Sequence, residues 1–137
     1  MQANELRIGN YFNDRAGKLL KLDWWESINK ACCKMEIEGK EVHPMTEYVE
    51  SCTPILLTEE WLVKFGFKKV RENTKHFKVD FFHYENDDCW IYLILDGFEL
   101  ELNTSDERHN LDRTYKYVHQ LQNLYFALTG KELTIKK

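Results

Sequence analysis

The stretch "WIYLILDGFELELN", residues 90–103, decides the fold of the second half of this chain. It holds Asp96-Gly97 between two apolar runs, which is a strong hairpin signal because a type I′ turn needs positive φ at both central residues. A two-residue loop then fixes which residues lie opposite each other. One face pairs Leu95 with Phe98, Leu93 with Leu100 and Ile91 with Leu102, and the other pairs Ile94 with Glu99, Tyr92 with Glu101 and Trp90 with Asn103. A slip of one residue would mix the two faces, so the apolar pattern itself supports this register.

A second apolar pattern lies in "YKYVHQLQNLYFALTG", residues 115–130. Its spacing predicts a helix over about 114–129, and Gly130 is placed to end it in a left-handed conformation. Residues that share one arc of about 120° on this helix are Tyr117, Val118, Leu121, Leu124, Tyr125 and Leu128. We expect this stripe to pack on the apolar face of the hairpin and to form the main core, at about 1.5–3 kcal/mol for each large side chain that is fully buried.

A second stripe on the same helix consists of Tyr115, His119, Gln122 and Phe126, on successive turns. The sequence leaves two alternatives for what covers it. Either the N-terminal hairpins or a short helix near residues 59–65 pack over it, or it is a partner surface. In the second case a two-fold dimer brings Tyr115 and Phe126 against their symmetry mates.

The rest of the chain combines short strands with one clear helix. The turn Asp14-Arg15-Ala16-Gly17 and the glycine Gly39 each join two runs of strand character, which predicts two hairpins that form a small, strongly curved sheet or an SH3-like barrel. The segment "TPILLTEEWLVKFGF" predicts a helix over about 59–65, because Thr58 is a good N-cap and Gly66 a good terminator.

Together these elements predict an α+β protein. A region of short strands, residues 1–53, precedes a short helix, an antiparallel β-meander and a C-terminal helix packed on one face of the meander, residues 54–137. The two regions are able to form one continuous domain, since 137 residues are the size of one ordinary domain.

Composition narrows the classes of function. The net charge of −4 gives no general attraction to nucleic acid or to an anionic membrane surface. The N-terminus "MQANELRIGN" lacks the apolar segment of an export signal, and the longest apolar run, "WIYLIL", is too short to span a bilayer. We therefore expect a cytoplasmic protein without a membrane partner.

Candidate chemistry is sparse. The sequence has no glycine-rich phosphate loop, no zinc-protease helix motif and no nucleophile elbow, so we predict no catalytic residue and no cofactor. The candidate ligand-binding residues are Trp90, Tyr92, Glu99 and Glu101, which share one face of the hairpin. Aromatic rings beside carboxylates bind sugars, amines or cationic groups, and the simpler alternative is a solvated sheet face.

The cysteines give no metal signature. Cys32, Cys33, Cys52 and Cys89 form no C-x-x-C pair, and without an export signal we expect reduced, mostly buried thiols. Neighbouring residues of a strand point to opposite faces, so one metal ion could hardly bind both Cys32 and Cys33. We predict no metal site.

Charge is unevenly distributed along the chain. Residues 64–78 hold six basic side chains and one acidic one, whereas residues 79–107 hold nine acidic side chains and no lysine or arginine. A basic patch can contact phosphates. Alternatively, basic and acidic strands that lie side by side form cross-strand pairs of opposite charge with each other. In that case we expect no nucleic-acid partner.

Three segments carry a resemblance. "NELRIGNYF" at 4–12, "PILLTEEWLVKFGF" at 54–67 and "KYVHQLQNLYFALTGKEL" at 116–133 resemble a family of small uncharacterised proteins of Bacteroides-type bacteria and of their phages and mobile elements. The resemblance covers somewhat under a third of the chain. It implies an intracellular bacterial or phage protein, an accessory of a mobile element, and it carries over no functional residue.

Three functional hypotheses remain from the sequence. The first is a non-enzymatic binding or interaction protein, whose partner is another protein or, through the last helix, a second copy. The second is a small enzyme or ligand-binding protein that uses the aromatic and carboxylate face of the hairpin. The third is a nucleic-acid-binding protein that uses the basic segment 64–78.

Overall fold

The computed structural model describes residues 1–37, 40–73, 78–85, 90–94, 100–104, 107–111 and 115–136. Within these ranges the chain forms two antiparallel sheets and two α-helices, so the predicted α+β class is confirmed. The strands are β1 (Tyr11–Asn13), β2 (Leu19–Ser27), β3 (Lys30–Ile37), β4 (Lys40–Tyr48), β5 (Lys68–Asn73), β6 (Lys78–Glu85), β7 (Trp90–Ile94), β8 (Leu100–Thr104) and β9 (Glu107–Leu111), and the helices are α1 (Glu59–Phe65) and α2 (Val118–Thr129).

The first sheet has the order β1-β2-β3-β4 and is curled, as the sequence predicts. Its first turn is held by Asp14, whose Oδ1 accepts hydrogen bonds from the backbone N–H groups of Ala16 and Lys18 at 2.8 Å. The pairing of β3 with both of its neighbours contains register shifts. Such bulges bend a strand and increase its twist, which accounts for the curl.

Helix α1 has the ends that the sequence predicts. Thr58 is extended, and its Oγ1 accepts a hydrogen bond from the backbone N–H of Trp61 at 3.5 Å. Gly66 has a φ of 92°, and its N–H donates to the carbonyls of Leu62 and Val63. Cap chemistry within a few residues therefore sets both ends of this helix.

The second sheet is an antiparallel meander with the order β5-β6-β7-β8-β9. The predicted register of the hairpin is confirmed over its described part. Strands β7 and β8 pair Trp90 with Asn103, Ile91 with Leu102, Tyr92 with Glu101 and Leu93 with Leu100. The predicted turn and the pairs that involve residues 95–99 lie outside the described residues.

Helix α2 begins later than the sequence predicts. Residues 115–117 lie outside the helix, and the backbone of Tyr117 is extended. The carbonyl of Lys116 and the N–H of Val118 each form a backbone hydrogen bond of 2.9 Å with residues 55–57. Because these groups pair with a distant segment, the helix starts at Val118 and not near residue 114. Its end at Gly130, with a φ of 68°, is as predicted.

Buried apolar side chains form two clusters. The larger cluster contains Tyr11, Ile55, Leu57, Trp61, Leu62, Phe65, Phe67, Phe82, Val118, Leu121, Tyr125 and Leu133. The smaller cluster, inside the curled sheet, contains Leu6, Phe12, Leu20, Leu22, Ala31, Cys33, Val49 and Cys52. The clusters meet at β1, where Tyr11 belongs to the larger and Phe12 to the smaller. Neighbouring residues of a strand face opposite sides, so β1 connects the two regions of the chain.

The apolar stripe of α2 is only partly buried. Val118, Leu121 and Tyr125 are buried and Leu124 is partly buried, whereas Leu128 is 39% exposed. The predicted burial of Leu128 is therefore not seen, and Leu128 is not among the described residues that form the larger cluster or pack against it. The predicted stripe member Tyr117 lies just before the helix as its N-cap.

Among the described residues, strand β6 makes the contact between α2 and the second sheet. Tyr84 packs edge-on against Tyr125, with ring centroids 5.5 Å apart, and Phe82 is fully buried in the larger cluster. Register places Leu93 and Leu100 in the same cross-strand row as Phe82. The helix therefore lies over the sheet face that carries the predicted apolar positions, and α1 and β1 complete the cluster.

Candidate binding surfaces

The candidate ligand-binding positions lie on one face of the second sheet. Tyr92 is directly opposite Glu101, and Trp90 is one row further along, opposite Asn103. Glu99 lies outside the described residues. The sheet thus brings together three of the four candidate positions that the sequence predicts on one face of the hairpin. That they bind a ligand stays a prediction.

Strand pairing brings further polar residues into the same row. Lys68 pairs with His83, His83 with Tyr92, Tyr92 with Glu101, and Glu101 with Asn110, one residue from each strand. Sequence reasoning missed Lys68 and His83, because pairing with β5 and β6 depends on segments outside the hairpin. The alternation of β6 was a usable signal, since it places His83 on the opposite face from its apolar neighbours.

This face is turned away from the helices and is called the outer face below. Its positions are Val70, Phe81 and Ile94 in one row, Lys68, His83, Tyr92, Glu101 and Asn110 in the next, and Glu85, Trp90, Asn103 and Arg108 in the third. The opposite face carries Phe82 and Tyr84, which contact the larger cluster. At the β5 edge of the outer face, Lys68 is exposed and Val70 is 42% exposed.

The second stripe of α2 is covered by the chain itself. Gln122 is fully buried, and its Oε1 accepts a hydrogen bond from the backbone N–H of Tyr11 at 2.9 Å. Its Nε2 donates to the carbonyls of Gly9 and Leu133 at 3.0 Å. His119 is only 2% exposed. The N-terminal segment, the first of the two alternatives, thus covers the centre of this stripe.

His119 is a buried structural histidine. Its ring stacks on that of Tyr117, with centroids 5.7 Å apart and an angle of 9° between the planes. Its Nδ1 has no hydrogen-bond partner among the described residues. Burial lowers the pKa of His119 from its ordinary value of 6.5, the carboxylate of Glu5 opposes this shift, and the N-terminal amino group adds to it. The imidazole is therefore neutral at pH 7.

The other two members of the stripe are half-buried. The guanidinium carbon of Arg7 lies 3.5 Å above the centre of the Phe126 ring, and Arg7 also forms an ion pair of 3.0 Å with Glu132. Tyr115 packs against the larger cluster. A dimer through this helix stays a prediction that concerns the accessible parts of Tyr115 and Phe126.

A group of exposed apolar side chains lies at the tip of the β2–β3 hairpin. This hairpin-tip patch consists of Trp24, Ile28 and Tyr48, which are 44%, 84% and 61% exposed. Register places Trp24 opposite Cys32 and Tyr48 opposite Lys30, on the sheet face away from the smaller cluster. Sequence reasoning missed the patch, although two adjacent tryptophans in a strand require that one of them face outward.

Charged pairs surround the hairpin-tip patch. Lys30 forms an ion pair of 3.0 Å with Glu26, and Lys34 forms one of 3.5 Å with Asp23. The Nζ of Lys30 also lies 6.0 Å from the centre of the Tyr48 ring. An apolar centre with a charged rim is the usual composition of a protein–protein interface.

Helix α1 neutralises part of the basic segment 64–78. Lys64 pairs with Glu60 at 2.7 Å, and Lys69 pairs with Glu59 at 2.9 Å. These lysines therefore pair with acidic side chains of α1, whereas the alternative from the sequence pairs the basic segment with acidic strands.

The described thiols are not arranged as a reactive or metal-binding group. Burial raises the pKa of Cys33 to about 12 and that of Cys52 to about 11, and thiols with a raised pKa are poor nucleophiles. Cys32 lies on the other face of its strand, with Sγ 3.7 Å from Oγ1 of Thr46. Among the described residues, no group of three or more His, Cys, Asp or Glu is placed to hold a metal ion. Cys89 lies outside the described residues.

Comparisons of the chain with protein-family models, with curated proteins and with solved structures find no match. In the part of the chain that the structure describes, neither helix has the length and apolar character needed to cross a membrane. The class that the fold and its surfaces define is an α+β protein of two antiparallel sheets, with one apolar patch at a hairpin tip and one mixed face on the meander.

Proposed function

We propose that this protein is a non-enzymatic binding protein that holds another protein chain on the hairpin-tip patch. The observation that carries the proposal is the joint exposure of Trp24, Ile28 and Tyr48 at one end of the first sheet. Tryptophan and tyrosine are among the residue types that contribute most to interface energies. The raised pKa values of the buried thiols of Cys33 and Cys52 also suit packing rather than nucleophilic catalysis.

The size of the patch sets what the partner must do. Covering the exposed fractions of the three side chains contributes about 3–6 kcal/mol, at about 1.5–3 kcal/mol for each fully buried side chain. Association itself costs about 4–15 kcal/mol. The patch is therefore the centre of an interface, and the partner also contacts the charged rim around Lys30 and Lys34.

Three segments of the chain resemble proteins of Bacteroides-type bacteria and their mobile elements, and this resemblance supports a biological context for the binding role. In that setting the protein is an intracellular accessory protein of a phage or mobile element, and its partner is a protein of the element or of the host. Enzymatic or ligand-binding activity and nucleic-acid binding remain alternatives from the sequence.

The test compares three immobilised proteins in an extract of a Bacteroides-type bacterium that carries the element. The patch variant combines Trp24→Ser, Ile28→Ser and Tyr48→Ser, and the control combines Val63→Ser with Leu128→Ser, which are exposed apolar positions elsewhere. We expect the wild type and the control to retain the same protein, with retention by the patch variant reduced at least about 10-fold. Equal retention by all three folded proteins, measured by quantitative mass spectrometry, would contradict the proposal.

A further inference from the structure

We propose that residues 1–8 form a strap that detaches from helix α2 about Gly9, more readily at acidic pH, and thereby controls access to His119 and Phe126. The strap concerns the second stripe of α2 and not the hairpin-tip patch, so it does not depend on the proposed function. Three features support it: the few contacts that attach the strap, the firm anchor that begins at Gly9, and the buried polar atoms that the contact leaves unpaired.

Few contacts attach the strap to the rest of the chain. Leu6 is the only buried side chain among residues 1–8, and it belongs to the smaller cluster. Among the described residues, one hydrogen bond joins the strap backbone to α2, from Nδ2 of Asn123 to the carbonyl of Glu5 at 2.9 Å. The other backbone hydrogen bonds of the strap stay within residues 1–10. Segments attached in this way open without unfolding of the whole protein.

Arg7 makes the main side-chain contact between the strap and α2. Its guanidinium carbon lies 3.5 Å above the centre of the Phe126 ring, and it pairs with Glu132 at 3.0 Å. The side chains of this ion pair are 33% and 35% exposed, and solvent weakens such pairs. Arg7 therefore holds the strap mainly through the Phe126 ring, and it covers that ring while the strap is closed.

A firm anchor begins where the strap ends. The N–H of Gly9 donates to the carbonyl of Leu22 at 2.8 Å, and the carbonyl of Gly9 accepts from Nε2 of Gln122 at 3.0 Å. Gly9 has a φ of 92°, in a region that glycine enters without steric cost. A change of backbone angles at Gly9 moves residues 1–8 and leaves the anchor in place, so the hinge falls at this residue.

The closed contact leaves buried polar atoms unpaired. Nη1 of Arg7, Nδ1 of His119 and Oδ1 of Asn123 are buried and have no hydrogen-bond partner among the described residues. Solvent water pairs with such atoms when a contact opens, so the closed strap forgoes hydrogen bonds that the open strap makes. This difference lowers the cost of opening at this contact.

His119 makes the opening depend on pH. Burial, the largest effect, lowers the pKa of His119 in the closed state from its ordinary value of 6.5; the Glu5 carboxylate opposes this shift, and the N-terminal ammonium adds to it. Both charged groups belong to the strap, and the Tyr117 ring stacks on the imidazole from the other side of the contact. Opening exposes His119, which then takes up a proton below about pH 6.5. The equilibrium constant for opening should rise by at most about 10-fold between pH 7.5 and 5.5.

Native-state hydrogen exchange, measured by NMR, compares an amide in the strap with one beyond the hinge. The N–H of Arg7 is bonded to Oδ1 of Asn10 at 2.7 Å, and that of Tyr11 to Oε1 of Gln122 at 2.9 Å. After correction for the intrinsic rate at each pH, Arg7 should exchange at least about 100-fold faster than Tyr11 and with a weaker dependence on added urea, because only a small segment opens. Its opening constant should rise at least about 3-fold from pH 7.5 to 5.5.

Variants separate detachment of the strap from local fraying. His119→Phe should keep the fast exchange at residue 7 and lose its rise at acidic pH, because fraying that leaves position 119 covered has no link to this histidine. His119→Gln serves if the phenylalanine variant fails to fold. Arg7→Ala removes the contact with the Phe126 ring and should raise the opening constant at least about 3-fold. The matched control is Arg15→Ala, which removes an exposed arginine from the turn after β1 and should leave the constant unchanged.

Each outcome decides the proposal. Equal exchange at residues 7 and 11, with the same urea dependence, overturns it, because the strap then opens only with the whole fold. A rise at acidic pH of less than about 3-fold, or one that persists in the His119 variants, overturns it as well, since the opening is then not linked to exposure of this side chain. An unchanged opening constant in Arg7→Ala has the same consequence.

Discussion

Replacing Gln122 by methionine should remove much of the stability of this fold. The side chain is fully buried and makes three hydrogen bonds, to the N–H of Tyr11 at 2.9 Å and to the carbonyls of Gly9 and Leu133 at 3.0 Å. Methionine has a similar length but leaves these three backbone groups without their partner. Each buried unsatisfied group costs about 1–3 kcal/mol, so we expect the free energy of unfolding to fall by about 3–6 kcal/mol after partial relaxation. That is a large fraction of the about 5–15 kcal/mol that stabilises a typical domain.

Urea unfolding followed by tryptophan fluorescence and by far-UV circular dichroism measures this loss. The matched control is Gln120→Met on the same helix, whose Oε1 accepts from the N–H groups of Lys116 at 2.9 Å and Tyr117 at 3.1 Å near the surface. Loss of that capping interaction should cost only about 1 kcal/mol, because water replaces the amide. If the losses in free energy of unfolding of the two variants differ by less than about 1 kcal/mol, the three hydrogen bonds of Gln122 do not stabilise the fold as expected.

Three further predictions follow from local geometry and burial. Gly66→Ala and Gly130→Ala should each destabilise the protein by about 1–2 kcal/mol in thermal melts, because both glycines have a positive φ. A Cβ at Gly66 also meets the flexible end of the Lys136 side chain, which can move away, so the two losses should be similar and a clearly larger loss at Gly66 would contradict this. The pKa of His119 is lower in the folded protein than in the unfolded chain, so the unfolded chain binds a proton at a pH where the folded protein does not. As the pH decreases below about 6.5, the free energy of unfolding should therefore decrease by at most about 1.4 kcal/mol per pH unit. In thermal melts at a series of pH values, His119→Phe should lack this pH dependence of stability. If the pH dependence is unchanged in the variant, it arises from other titratable groups. Thr58→Ala should cost about 1 kcal/mol in urea unfolding by removing the cap of α1, and Thr58→Ser, which keeps the hydroxyl, should not.

The elements that the sequence predicts well are those fixed by near neighbours. The ends of α1 follow from Thr58 and Gly66, because each cap is a contact between residues a few positions apart. The pairing of β7 with β8 follows from the alternation of two adjoining runs, since a slip of one residue would exchange the faces. In the first sheet the predicted turn at Asp14 also follows from near neighbours, whereas the predicted turn at Gly39 lies outside the described residues.

The start of α2 shows where this reasoning stops. Lys116 and Val118 fit a helical pattern, yet their backbone groups pair with residues 55–57, about 60 positions earlier in the chain. No local propensity reports such a partner. The burial of Gln122 has the same cause, because it depends on Gly9 and Leu133, which lie far from it in sequence.

The candidate surfaces, too, were predicted from the sequence only in part. Sequence placed Tyr92 and Glu101 on one face, but the pairing of β5 with β6 and of β6 with β7 added Lys68 and His83 to their row. Exposure of Trp24 likewise depends on which side of the curled sheet receives a core. The sequence by itself determined the caps, turns and strand alternation, because those energies arise between neighbours along the chain. The tertiary structure alone decided which side chains are covered and which meet across strands, because burial and long-range pairing depend on segments that the chain brings together only when it folds.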